Sequence, residues 1–130
     1  MKYLKLHNSD DNGVIIVNKD QVTAVVSFID KQQRLTSKVY LYSSCSIAPF
    51  IVNETPSIVI KPEDTEFITL HDAETNNVIV VKKSEISVID SIKIGTSMKA
   101  KVYFSGNNEM QPIFVHESAE KIFNLIEGNV

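Results

Sequence analysis

The sequence has little of what marks a secreted, membrane-spanning or metal-binding protein. Its one cysteine, Cys45, excludes an internal disulfide and a site built from several cysteines, and with no histidine near it we expect an unreactive loop thiol. The longest apolar runs, Val14–Val17 and Val78–Val81, are far shorter than the ~20 residues of a membrane-spanning helix. The chain enters a strand-like segment at Tyr3–Leu6, so no secretory segment is predicted. We therefore expect a cytoplasmic protein.

The sequence also lacks the short motifs of common enzyme classes. It has no phosphate-binding loop, dinucleotide fingerprint, His-Glu-x-x-His motif or nucleophile elbow. The formal net charge of −3 argues against general affinity for nucleic acid or another polyanion. With 43% apolar and 22% charged residues, the 130-residue chain has the composition of one globular body. We predict a protein that is not an enzyme and that needs neither a cofactor nor a metal ion.

The most informative feature that is present is an internal repeat. Residues Tyr3–Phe28 match Phe67–Ile92 at an offset of 64, and eight of these 26 positions are identical. Two later segments match at an offset of 63, namely 38–41 with 101–104 and 49–55 with 112–118. Separate blocks that match at nearly one offset indicate two copies of one unit. We divide the chain into a first repeat, residues 1–61, and a second repeat, residues 62–130.

Each repeat has the pattern of a small β-sheet. Alternating apolar and polar residues and β-branched runs predict five strands per repeat, at 3–7, 14–17, 22–28, 38–42 and 50–52 and at 67–71, 78–81, 86–92, 101–104 and 113–115. Polar loops are expected at 30–37 and 94–100, at the positions where a hairpin would turn. Ser118 and Gly128 are suited to begin and end a helix over about 118–127. In the first repeat, Pro62 limits the corresponding helix to about one turn.

These elements define the expected fold. We predict a β-rich α+β protein in which two similar units of about 60 residues pack into one pseudo-two-fold body with a C-terminal helix. Because a unit of this size buries only ~60% of its unfolded surface, the two units are expected to share a core. The strand edges that remain favour a homo-oligomer. The repeats differ in charge, with seven Lys/Arg and five Asp/Glu (+2) in 1–61 and six and eleven (−5) in 62–130.

The end of the second repeat resembles a known family. The run Val115–Ile126 combines a strand, a Val-x-Glu-Ser-x-Glu helix start and an Ile-x-x-x-Ile stripe, and Val52–Pro56 carries a weaker form of this pattern. In this the chain is similar to the FlbD-like small proteins of flagellar operons, whose opening hairpin fits the strands at 67–71, 78–81 and 86–89. The resemblance implies a tandem duplication of an FlbD-like unit without catalytic residues. Such units are also common among phage and mobile-element proteins, which implies a place in the host cytoplasm or the virion.

Residues at equivalent positions of the two repeats form a candidate ligand site. His7 and His71 end the first strand of each repeat, and Lys19 and Lys83 follow the second strand. In a pseudo-two-fold body these side chains are predicted to converge on a pocket for a small molecule such as a signalling nucleotide. His116 precedes a helix start, where a phosphate group meets free N–H groups. The alternative is that these residues recur only because the unit is duplicated.

Three functions are compatible with these features. The leading prediction is a non-catalytic protein-interaction or assembly module that acts through self-association or a protein partner, and no membrane partner is expected. The first alternative is a small-ligand binder with pockets between repeats or subunits. The second is single-stranded nucleic-acid binding through basic and aromatic residues, among them Lys38, Lys101 and Tyr103. The equivalent residues Glu54 and Glu117 are expected near helix N-termini, where the helix dipole favours negative charge.

Overall fold

The structure is a computed structural model that describes residues 3–42, 48–105 and 110–128. In these segments ten strands and two helices follow one another, and both repeats have the same order of elements. The first repeat contains β1 (Tyr3–His7), β2 (Val14–Asn18), a 3₁₀ turn (Lys19–Gln21), β3 (Val22–Ile29), β4 (Leu35–Leu41), β5 (Phe50–Val52) and α1 (Pro56–Val59). The second contains β6 (Phe67–His71), β7 (Val78–Lys82), a 3₁₀ turn (Lys83–Glu85), β8 (Ile86–Ile94), β9 (Ser97–Phe104), β10 (Ile113–Val115) and α2 (Ala119–Glu127).

The described strands form three antiparallel sheets that two isolated bridges link. Three sheets have the orders β1-β2, β5-β4-β3-β7-β6 and β10-β9-β8. Two isolated bridges join these sheets, from Asn8 to Val52 of β5 and from Asp72 to Val115 of β10. Each bridge is extended by a backbone hydrogen bond of 2.8 Å, from Asn53 N–H to the carbonyl of His7 and from the equivalent His116 N–H to that of His71. With these bridges included, the order of the described strands is β2-β1-β5-β4-β3-β7-β6-β10-β9-β8, with β2 and β8 at its two ends.

The junction between β3 and β7 joins the two repeats. Its register places Ala24 opposite Val81, Val25 opposite Val80 and Val26 opposite Ile79. Alternate residues of these strands enter two different buried clusters, so Val25 and Val80 pack in one and Ala24 and Val81 in the other. The five-stranded sheet therefore lies between the two buried clusters and contributes side chains to both. An apolar run without charge suits a strand that is buried on both faces.

Most of the predicted elements are confirmed. The protein is β-rich, α1 is a single turn, and α2 ends the described chain. The Ser118 hydroxyl accepts a hydrogen bond from the Lys121 N–H at 3.2 Å, and Gly128 ends α2 with a left-handed φ of 77°. The prediction of a polar loop over 94–100 was wrong, because β8 and β9 continue to a tight turn at Gly95, where φ is 64°. The loop at 30–37 is likewise shortened by the start of β4.

The β3–β7 junction does not by itself establish a two-fold arrangement of the repeats. A closed pseudo-two-fold body would repeat the β3–β7 contact between β8 and β2, but within the described chain these two strands do not pair. The pseudo-two-fold arrangement therefore stays a prediction. None of the described helices has the length and apolar character needed to cross a membrane.

Candidate functional site

Each predicted strand-end histidine binds a glutamate of its own repeat. His7 Nδ1 lies 2.6 Å from Glu54 Oε2, and the backbone N–H of His7 donates to Glu54 Oε1 at 2.9 Å. In the second repeat, His71 and Glu117 make the same two contacts at 2.7 and 2.9 Å. We call these pairs the His–Glu clasps. Each clasp ties the end of the first strand of a repeat to the residues just before its helix.

The first clasp holds its carboxylate in the ionised form. Burial raises the pKa of Glu54, but the hydrogen bonds from the side chain and backbone of His7 outweigh it, so the pKa lies below its usual value. The imidazole of His7 remains about one-third exposed, whereas the carboxylate is largely covered. A carboxylate that receives both a backbone and a ring N–H fixes the strand end in place, which is a structural role.

The remaining predicted ligand residues bind elsewhere. Lys19 Nζ lies 2.7 Å from Asp64 Oδ2, and this hydrogen bond raises the pKa of Lys19. The N–H of Lys83 donates to the backbone carbonyl of Glu66 at 3.0 Å. The side chain of His116 is exposed, and its backbone N–H belongs to the bridge already described. The convergence of His7, His71, Lys19 and Lys83 on one pocket therefore stays a prediction.

A groove of about 590 Å³ lies beside β1, between that strand, α1 and the following linker. Its lining includes Tyr3, Lys5, Lys19 and Lys61, together with Asp64, the partner of Lys19. Of the five predicted ligand residues, Lys19 is the one that contributes to this lining. The groove thus combines three lysines and the two carboxylates of Glu63 and Asp64 with an exposed aromatic ring.

Two of the lysines considered for nucleic-acid binding lie over aromatic rings of the protein itself. Lys38 Nζ is 4.4 Å from the centre of the Phe28 ring. Lys101 Nζ is 5.2 Å from the centre of the Tyr103 ring and 5.4 Å from that of Phe114. These distances are within the ~6 Å range of a cation–π interaction. Each lysine therefore covers one face of a ring on which a base would have to stack.

The second repeat leaves exposed a strand that the first repeat buries. Ala24 and Val25 of β3 are fully buried, because β7 covers that edge. At the equivalent positions of β8, Val88 is 52% exposed and Ile89 is half-buried. Within the described chain β8 pairs with β9 and with no second strand. The outer edge of β8 therefore presents unpaired backbone groups together with apolar side chains.

The opposite end of the series has a matching exposed strand. Val80 of β7 is 4% exposed, whereas Ile16, its equivalent in β2, is 59% exposed. Val14 of β2 is also more than half exposed. In the described chain β2 pairs with β1 alone. The two strands whose equivalents meet at the internal junction thus each have a free edge in the described chain.

An apolar groove of about 490 Å³ lies between β8 and α2. Its apolar lining includes Ile86, Val88, Ile89, Phe123 and Ile126. Phe123 is 56% exposed, whereas its equivalent Ile60 is 3% exposed and packs in one buried cluster with Val80 of β7. The groove is therefore the place in the second repeat that β7 fills in the first. We call the groove and the free edge of β8 the β8 face.

Polar contacts add to the internal junction. The Ser27 hydroxyl donates to the backbone carbonyl of Val78 at 2.7 Å. The Tyr42 hydroxyl donates to a carboxylate oxygen of Glu85 at 2.5 Å, and this bond, helped by burial, raises the pKa of Tyr42 to about 12. The junction is thus held by backbone pairing, apolar packing and hydrogen bonds that side chains of the first repeat donate to the second.

No group of three or more His, Cys, Asp or Glu side chains in the described segments has the arrangement of a metal site. Cys45 lies outside the described residues, so the prediction of an unreactive thiol there stays a prediction.

Comparison of the chain with protein-family models, with curated proteins and with solved structures gives no significant match. Function is therefore inferred from the geometry of the chain itself.

The His–Glu clasps and the β8 face were not predicted from the sequence. The available signal for the clasps was that Glu54 and Glu117 recur together with the two histidines. The signal for the β8 face was a charged residue in place of an apolar one. Asp90 of β8 occupies the position that Val26 has in β3. A charge in a strand whose equivalent is buried indicates an edge strand.

Proposed function

We propose that this protein is a non-catalytic assembly module that binds a second copy of itself through the free edges of β2 and β8. The observation that supports this most directly is the contrast between equivalent strands. β3 and β7 are buried against each other, whereas β8 and β2 expose apolar side chains and have no second partner strand among the described residues. A second copy is the occupant we favour, because it carries the very strand that fits each edge.

The apolar surface at these edges is sufficient to support reversible binding. Val14, Ile16, Val88 and Phe123 each expose more than half of their surface. Covering one such side chain is worth ~1 kcal/mol or more, and each new backbone hydrogen bond adds ~1 kcal/mol. These gains act against an association cost of ~4–15 kcal/mol. We therefore expect a complex that dissociates on dilution.

The charges of the repeats support contact between unlike repeats. Residues 1–61 carry +2 and residues 62–130 carry −5. When the second repeat of one copy meets the first repeat of another, opposite charges approach each other and speed the encounter. Contact between two second repeats would bring like charges together.

This proposal includes the family resemblance. We take the chain to be a tandem duplication of an FlbD-like unit, with repeats at 1–61 and 62–130, that acts in the cytoplasm or virion of a phage or mobile-element system. The shared order of elements and the recurrence of the His–Glu clasp support duplication. Exposure of both β2 and β8 favours a second copy over a closed pseudo-two-fold body.

Light scattering over a range of concentrations tests the proposed function. The mass of the wild-type protein is expected to rise above the 14.6 kDa of one chain as concentration increases. Val88→Lys places a charge on the β8 face and is expected to raise the dissociation constant roughly 30-fold, or ~2 kcal/mol. The matched control is Ile58→Lys, since Ile58 is 63% exposed on α1 and the second repeat has Lys121 there. A wild-type mass of one chain at every concentration would refute the proposal.

A second candidate function is the binding of an anionic small molecule in the groove beside β1. The groove combines Lys5 and Lys61 with Tyr3, and its volume of about 590 Å³ lies within the ~300–1,000 Å³ usual for ligand pockets. Native mass spectrometry of protein isolated from its host is expected to show a bound anion. If the wild-type protein and the Lys5→Ala variant both show only the mass of the polypeptide, this candidate function is contradicted.

A further inference from the structure

We propose that self-association is head to tail, with β8 of one copy paired antiparallel to β2 of the next in the register of the internal β3–β7 junction. This inference rests on the proposed function and specifies which edges meet. Two copies joined in this way keep one free β2 edge and one free β8 edge between them. The contact is therefore heterologous and recurs from copy to copy, as in a ring or a filament.

The register follows from the repeat. Each β3 residue has its equivalent in β8 64 positions later, and each β7 residue has its equivalent in β2 64 positions earlier. The internal pairs therefore correspond to the pairs Val88–Val17, Ile89–Ile16 and Asp90–Ile15 between copies. β3 and β8 also share a register shift at the same place, between Val22 and Ala24 and between Ile86 and Val88. Because such a shift bends a strand, both strands present edges of similar curvature.

The side chains of β2 match the β8 face. In this register Ile16 takes the place of Val80, enters the groove between β8 and α2, and covers Phe123. One polar contact is also matched residue for residue. Ser91 and Val14 are equivalent to Ser27 and Val78, whose hydroxyl and carbonyl are 2.7 Å apart at the internal junction. The exposed Ser91 hydroxyl therefore has the Val14 carbonyl of the next copy as its acceptor.

Asp90 is the main departure from the internal junction. It stands where β3 has Val26, and it lies opposite Lys101 of β9, which supplies a partner of opposite charge. A carboxylate at this edge makes contact between copies weaker than the internal contact. Charged residues on edge strands also limit unspecific strand pairing. The contact between copies is therefore expected to be reversible, whereas the internal junction joins two strands of one chain.

Complementation between two variants tests the head-to-tail contact. Ile16→Lys disables the β2 edge and Val88→Lys disables the β8 edge, and both positions are more than half exposed, so the single chain keeps its fold. Each variant alone is expected to stay monomeric where wild type associates. An equimolar mixture is expected to form a dimer and to grow no further, because one intact β8 edge meets one intact β2 edge. Circular dichroism checks the fold of both variants.

The outcomes separate this inference from the proposed function. If wild type never associates, the proposed function itself fails. If wild type associates but one variant alone still forms dimers, like edges pair with each other and the head-to-tail inference is overturned. If wild type associates and the mixture stays monomeric, one β8 edge and one β2 edge are not sufficient for the contact, and the inference is again overturned.

Cysteine pairing in the same mixture tests the register. In a Cys45→Ser background, Ile89→Cys is placed on the β2-disabled chain and Ile16→Cys on the β8-disabled chain. Residues directly opposite in an antiparallel pair have Cα atoms ~4.5–5.5 Å apart, which suits a disulfide. We expect cross-linking at least tenfold faster than with the control Ile15→Cys, whose side chain points to the opposite face. Faster cross-linking of the control would overturn the register.

Discussion

Replacing Glu54 with glutamine tests the first His–Glu clasp. The Glu54 carboxylate accepts hydrogen bonds from the backbone N–H of His7 at 2.9 Å and from its ring at 2.6 Å. Glutamine keeps the length of the side chain, but it offers one acceptor oxygen and no charge. The change therefore removes one charge-assisted contact at the point where β1 meets the residues before α1.

The expected cost follows from the geometry. Hydrogen bonds to a charged group contribute ~1.5–3 kcal/mol, and the side chain of Glu54 is only 15% exposed. We expect Glu54→Gln to lower the free energy of unfolding by ~2 kcal/mol. In a domain of this size that corresponds to a loss of roughly 6–10 °C in Tm.

Urea unfolding followed by circular dichroism measures this cost. The Val88→Lys background keeps the protein monomeric during the experiment, and Glu74→Gln, at an exposed glutamate in the turn after β6, is the control. The double variant with His7→Ala is expected to cost little more than the worse single variant, because both changes remove one interaction. If Glu54→Gln and Glu74→Gln differ by less than ~0.5 kcal/mol, the clasp does not stabilise the fold.

The pH dependence has a definite sign. The pKa of Glu54 is lower in the folded protein than in the unfolded chain. Its contribution to stability is therefore complete above the unfolded pKa of ~4.3 and is lost as pH falls through the folded pKa. The difference between wild type and Glu54→Gln should shrink below pH ~4. A difference that stays constant down to the acid transition would contradict the ionised clasp.

Two further predictions concern the junctions. Tyr42→Phe removes the bond to Glu85 across the internal junction and should cost ~1–2 kcal/mol at pH 7. Because the folded pKa of Tyr42 is raised to about 12, this stabilisation should fade between the unfolded pKa of ~10 and that value, so a constant difference in urea melts up to pH ~11.5 would contradict it. Asp90→Val restores the residue of the internal junction and should lower the dissociation constant of self-association roughly tenfold by light scattering. This gain should vanish when Ile16→Lys is added, and an unchanged dissociation constant would place Asp90 outside the contact.

The local elements could be predicted because each has a signal in neighbouring residues. Alternating apolar residues locate the strands, and Ser118 and Gly128 delimit α2. The length of the β8–β9 hairpin could not be predicted, because polar residues at 94–100 are typical of both a loop and an exposed strand end. There, Gly95 and Thr96 form the turn, and Gly95 has a φ of 64° that glycine adopts without strain.

The contacts between distant residues had no such local signal. β3 and β8 have similar patterns of apolar residues, yet β7 pairs with β3, which has Val26 where β8 has Asp90. Glu54 is 47 residues from His7, so neither residue marks the other in the sequence. The helix dipole correctly predicts Glu54 near the start of α1. It does not predict that the carboxylate accepts hydrogen bonds from His7.

Amide hydrogen exchange of the wild-type protein at a low and a high concentration tests the central claim most directly. That claim is that β2 and β8 have free edges in one copy and are paired between copies. We predict that amides in 14–18 and 86–94 exchange more slowly at high concentration, while those of β3 and β7 are equally protected at both. Unchanged exchange in 14–18 and 86–94 under conditions where the mass shows association would contradict the account.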